Sequence, residues 1–166
     1  LRHVRALRPN QQTSDLDVDL IGGLFDEDGP LSHAFSGYES RPEQVEMARK
    51  VANAINGSQR LIVEAGTGVG KSLAYLLPAA LNALANNKRV VVSTNTINLQ
   101  EQLLSKDGTI LVRALKELQV VPAEEFRFTQ LKGRANYLCM KRWYHMRSSE
   151  SLTEDEARMV AKALVW

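Results

Sequence analysis

Two apolar, β-branched runs, a glycine-rich loop behind the first of them, and helical periodicity on either side predict an α/β fold with a parallel sheet. RLIVE (60–64) and RVVVST (89–94) have continuous rather than alternating apolar centres, Leu61–Val63 and Val90–Val92. That is the pattern of strands covered on both faces. Between them AGTGVGKS (65–72) leaves the first predicted strand and enters a predicted helix.

The elements follow in order. Residues 1–37 lack periodicity and are rich in Asp and Gly, so they read as a linker or irregular lead-in with a short helix near Val18–Phe25. In RPEQVEMARKVANAING (41–57), Pro42 suits a first helical position. Val45, Ala48, Val51, Ala52 and Ile55 share one face, and Gly57 stands where the helix ends. Lys71 to about Asn86 is helical in composition, with Pro78 expected to kink it. Ile97–Leu104 and Ile110–Gln119 read as two further helices. FRFTQLKG (126–133) reads as extended, with Phe126 and Phe128 on one face, and Asn136–Arg147 as a helix. Thr153 and Glu156 form a capping box that opens a last helix, running to the end of the chain. The domain division is a lead-in (1–37), a nucleotide-binding part (38–125), and an extended segment followed by helices (126–166).

The composition narrows the class. With 166 residues, 44% hydrophobic and 24% charged, the chain matches one ordinary domain with a buried core. No apolar run approaches the roughly 18–20 residues that cross a bilayer, and no export signal opens the sequence. A single cysteine excludes an internal disulfide and fits a reducing, cytoplasmic setting. Leu1 in place of Met, and Trp166 inside a helical pattern, are expected of a piece of a longer polypeptide. The net charge is +2, but residues 126–147 hold Arg127, Lys132, Arg134, Lys141, Arg142 and Arg147 and no acid. A segregated basic segment suggests a polyanionic partner. His3, His33 and His145 are far apart, without ligand spacing.

Ala65, Gly66, Thr67, Gly68, Val69, Gly70, Lys71 and Ser72 fit the Walker A phosphate loop, Ala65 standing where the stricter pattern has Gly. Three glycines let successive N–H groups point inward at phosphate oxygens, and the helix N-terminus behind them adds partial positive charge. Lys71 is expected to reach the β- and γ-phosphates, and the Ser72 hydroxyl to ligate Mg²⁺. Hydrolysis also needs a strand-borne carboxylate. LFDED (24–28) lies ahead of the loop strand in an acidic Gly/Pro stretch and reads as a solvated loop. Glu154, Asp155 and Glu156 open a helix, where acids are expected for dipole reasons. Binding is predicted, and no hydrolytic carboxylate is evident.

Four blocks in order, YESRPEQVEMA (38–48), VEAGTGVGKSLAYLLPA (63–79), VVSTNTINLQEQLL (91–104) and LKGRANYLC (131–139), resemble the first third of a superfamily 2 helicase of the DinG/XPD kind. The resemblance covers about residues 34–150. It implies part of a first RecA-like domain and the start of an iron–sulfur-type helical insertion. It also implies ATP-driven 5′-to-3′ movement on single-stranded DNA, with a second RecA-like domain, its arginine finger and the Asp-Glu carboxylates elsewhere in the polypeptide. Some such proteins carry an upstream nuclease domain, which the lead-in would accommodate. Gln44 then selects adenine, its amide matching the donor and acceptor of the base edge, while Tyr38 or Arg41 packs on the ring. Thr94, Thr96 and Gln100 face the DNA backbone, and Arg134 and the basic segment extend that surface, with the aromatics either stacking on bases or lying in the core. Cys139 takes the place of the first of four cysteines binding a 4Fe–4S cluster. Two other classes fit the loop alone: a self-contained small NTPase, which would turn over ATP unaided, and a non-catalytic binding module, which would not.

Overall fold

The computed structural model describes residues 7–34, 36–66, 68, 70–119, 126–149 and 151–165. They fall into two compact units, Leu1–Gln130 and Leu131–Trp166. In the first, α1 (Val18–Gly23), α2 (Pro30–Ala34), α3 (Pro42–Asn56) and α4 (Lys71–Ala85) are followed by a continuous helical run. This run comprises α5 (Ile97–Gln102), a π-helical turn (Leu103–Asp107) and α6 (Gly108–Glu117).

Helix α3 begins at Pro42, whose missing N–H costs nothing at a helix start. Its buried stripe is Gln44, Ala48 and Ala52, spaced four apart, so small side chains let α4 approach closely. Val45 and Met47 flank the stripe, half-buried. Helix α4 answers with Leu73, Ala74, Leu77, Ala80 and Leu81 and continues through the buried Pro78. α1 packs on α3, and α2 packs on α6. The gap expected between helices near residues 105–109 is closed by the π turn, which buries Leu103 and Asp107 and accommodates one extra residue per turn.

The lead-in differs most from expectation. Ile21, Leu24, Phe25, Leu31 and Ala34 are core residues, and Asp17 caps α1 by accepting from the N–H groups of Asp19 and Leu20. In LFDED the apolar pair is buried and the three acids are exposed; the sequence hides this because each helix is too short to show a period. Ahead of α1 the chain crosses the C-terminal ends of α3 and α4 as a strap. Asn56 Nδ2 donates to the Leu16 carbonyl and its Oδ1 accepts from Leu16 N–H, both at 2.8 Å. Asn86 does the same for Ser14, at 3.0 and 2.7 Å. Asn10 donates to the carbonyls of Ala85 and Asn86, two open acceptors at the end of α4.

The predicted strands are the second difference. Residues 60–64 and 89–94 are without helix, but no strand pairing is present among the described residues. Ile62 is 97% and Val91 is 88% exposed, although both were expected to be buried. A strand is defined by its ladder, and without neighbours on either side neither its hydrogen bonds nor its faces are covered. Met47, Val51, Ala54 and Ile55 of α3 form, with Leu61, Val63 and Tyr75, an open apolar groove of about 340 Å³.

Phe126 and Phe128 follow the expected extended run; their rings stack at 6.4 Å and pack on the core. They belong to the core alternative rather than to a base-stacking surface. In the second unit, a 3₁₀ turn (Arg134–Asn136) precedes α7 (Met140–Arg147), so Tyr137–Cys139 lie outside the helix expected over 136–147. The Lys132 N–H donates to the Tyr137 hydroxyl at 2.7 Å. The capping box of α8 (Glu154–Leu164) is present as predicted. Thr153 Oγ1 accepts from Glu156 N–H, and Glu156 accepts from Thr153 N–H. α8 packs on α7, and no described residue of this unit is buried.

Candidate nucleotide-binding site

The glycine-rich loop turns through two left-handed residues, Gly68 at φ +86° and Gly70 at φ +77°, a region that side chains with a Cβ disfavour. A Cβ on Gly70 would also run into the Gln44 amide. Thr67 and Val69 lie outside the described residues. Gly70 caps α4, so Lys71 and Ser72 are its first two helical residues.

Three side chains hold the loop's carbonyls. Lys71 Nζ donates to Ala65 O at 2.7 Å and to Gly66 O at 2.6 Å. Arg41 donates to Gly68 O, with Glu39 3.5 Å from its guanidinium. Gln44 Nε2 donates to Gly70 O at 2.9 Å, an oxygen that also accepts from Ala74 N–H in the first turn of α4. Because a trans peptide sets C=O and N–H in opposite directions, holding the Gly70 carbonyl toward Gln44 and α4 aims the Lys71 N–H out of the helix end. Gln44 is only 3% exposed and commits one of its two amide N–H donors to the loop. Its position four residues before Ala48 was the available signal for burial.

Tyr38 is half-buried against the core, and its hydroxyl donates to the Phe25 carbonyl at 2.8 Å. Burial, then the Asp26 charge, push its pKa up to about 12, with Arg41 acting the other way. The link to residue 25 has no signature in the sequence. Ser72 shares a hydrogen bond with Tyr75, whose pKa burial raises. Its hydroxyl, at the start of α4, has the hard oxygen chemistry that Mg²⁺ takes alongside phosphate oxygens and water.

The second block lies ahead of α5. Thr96 caps that helix, accepting from Leu99 N–H at 3.3 Å, so its own O–H remains available as a donor. Thr94 donates to the Thr96 carbonyl at 3.2 Å and retains acceptor capacity only. Gln100 is half-buried and accepts from Gln130 Nε2 at 3.4 Å. Arg134 and Cys139 belong to the second unit, both exposed, with Cys139 at the N-cap of α7. One thiol does not fit a 4Fe–4S cluster, which takes four ligands. Among the described residues no group of three or more His, Cys, Asp or Glu is arranged to hold a metal, and no helix is long and apolar enough to cross a membrane.

A glycine loop with two left-handed residues, a lysine folded over its carbonyls and a helix opening behind it define a candidate nucleotide-binding protein of the phosphate-loop class. Residues 45–134 match the DEAD/DEAH box helicase family, and the chain belongs to that family, whose fold is the RecA-like phosphate-loop fold. Over 74% of its length it is 41% identical to the ATP-dependent DNA helicase YoaA of Haemophilus influenzae, of which it covers 17%. It is 46% identical over 68% of its length to the ATP-dependent helicase DinG of Mycobacterium tuberculosis, covering 16% of that protein. It is 38% identical over 82% of its length to the 3'-5' exonuclease DinG of Bacillus subtilis, covering 14% of it. The chain thus spans about a sixth of the curated relatives it matches. No solved structure matches it.

Proposed function

We propose that this chain is the ATP-gripping part of a DinG-like DNA helicase, acting 5′-to-3′ on single-stranded DNA in repair or replication in the cytoplasm. The observation that carries it is the loop itself, with two left-handed glycines, Lys71 beside its carbonyls and Gln44 behind its last one. A triphosphate would exchange the Ala65 and Gly66 carbonyls for phosphate oxygens around the Lys71 ammonium. Gly66, Gly68, Gly70 and their neighbours Thr67 and Val69 would supply inward N–H groups, and Ser72 would hold Mg²⁺. Gln44 would present its amide oxygen to the adenine amino group and its second amide N–H to a ring nitrogen, with Arg41 beside the ring. Thr96 would donate to a DNA phosphate, and Thr94 would do so on exchanging the Thr96 carbonyl for a phosphate oxygen. Gln100 and, separately in the second unit, Arg134 would be further DNA contacts.

The helicase names of the Haemophilus and Mycobacterium relatives support this reading. In it the exposed runs 60–64 and 89–94 are strands of a parallel sheet whose neighbours come from the rest of the polypeptide. That remainder would also bring the second RecA-like domain and the hydrolytic carboxylates. Cys139 would join a cluster only with three thiolates from elsewhere. The exonuclease name of the Bacillus relative supports an attached nuclease domain in the longer protein.

Calorimetric titration of the chain with Mg-ATP tests the reading. Lys71→Ala is expected to abolish binding while the circular dichroism spectrum is unchanged. Undiminished affinity would remove the loop from the function.

A further inference from the structure

The Arg41–Gln44 segment reaches the phosphate loop from outside, and something must fix where that segment starts. Residues 38–41 have no regular secondary structure, and Gly37 ahead of them is left-handed at φ +78°. The described fixed point nearest the start is the Tyr38 hydroxyl on the Phe25 carbonyl. Phe25 is fully buried, its N–H donates to Gly22 O, and it follows an α1 packed on α3. Tyr38 therefore ties the start of the segment to the buried core of the lead-in. Three residues on, Arg41 holds Gly68 O, and six residues on, Gln44 holds Gly70 O.

We propose that Tyr38 is a positioning residue for the phosphate loop, acting through Arg41 and Gln44, rather than a ring that packs on adenine. The inference rests on the nucleotide-binding reading of the loop. Its ring is half-buried against the core, so one face is already covered. Its hydroxyl end is held by a segment distant in sequence from every glycine of the loop. A tyrosine in this role should affect any ligand that uses the loop's N–H groups, with or without a base.

The test compares Mg-ATP with Mg-tripolyphosphate, a base-free probe of the same loop, titrated into the whole chain and its Tyr38→Phe variant. Both are measured at a temperature where circular dichroism shows them folded. Loss of the hydrogen bond to the Phe25 carbonyl is expected to weaken both ligands by the same factor, roughly two- to ten-fold. Weakened ATP with unchanged tripolyphosphate would overturn the proposal in favour of an adenine contact. Unchanged affinity for both ligands, with a lower melting temperature, would overturn it in favour of a purely structural tyrosine. Lys71→Ala is run beside them. If it binds both ligands as the parent chain does, the loop reading itself falls, whatever Tyr38 does.

Discussion

The two compact units are held together by different means. Leu1–Gln130 closes around an apolar core to which α1, α2, α3, α4 and α6 all contribute. The described part of Leu131–Trp166 has no buried residue, and its order rests on local hydrogen bonds such as the α8 capping box and the Lys132–Tyr137 closure. Burial distributes stability through a whole unit, because each core side chain touches several elements. A cap stabilises only the turn it closes. The first unit should therefore fail as a whole and the second piecewise.

That contrast can be broken at three places, in decreasing order of effect. Phe25→Ala removes a fully buried ring from the first unit and should cost about 3–5 kcal/mol, read from chemical denaturation. A loss under about 0.5 kcal/mol, the size of an ordinary surface change, would return the lead-in to linker status. Asn86→Ala takes one Asn from the strap and leaves the Ser14 N–H and carbonyl without their partner. A cost of about 1–3 kcal/mol is expected, with faster amide exchange at Ser14. Protected exchange there would mean that the strap is held by something else. Thr153→Ala should speed amide exchange in the first turn of α8 by roughly two- to ten-fold and leave the first unit's midpoint where it was. A shift in that midpoint would show the units to be energetically one.

What the sequence made legible follows the range of the interaction. The Pro42 start and the Thr153 cap are each written within a few residues and stand in the structure. Of the expected α3 face, Ala48 and Ala52 are buried, with Gln44 beside them, and Val45, Val51 and Ile55 are half-buried. The core role of Ile21, Leu24 and Phe25 was not legible, because six residues of α1 give too little periodicity to read against Asp and Gly neighbours. The Asn56 and Asn86 pairings span 40 and 72 residues, and an Asn at a helix end looks like any other cap. RLIVE and RVVVST show the opposite error, since their apolar character says what they need around them and not what they have. At the loop, Lys71 and the glycines adjoin in the chain itself. That Arg41 and Gln44 grip the loop's carbonyls required coordinates.

On the strap, Asn56 and Asn86 hydrogen-bond the main chain and not the side chains of Leu16 and Ser14, and the two gripped residues are two apart, so an extended run presents both on the same edge. At Ser14, whose side chain takes no part in that grip, almost any residue other than proline can stand. Adding or removing a single residue between the two would turn one of them to the opposite edge and break its pairing. At Ser14 the strap is thus tolerant of spelling and intolerant of length, and in diverging copies of this protein that position should drift in letter while keeping its spacing from Leu16.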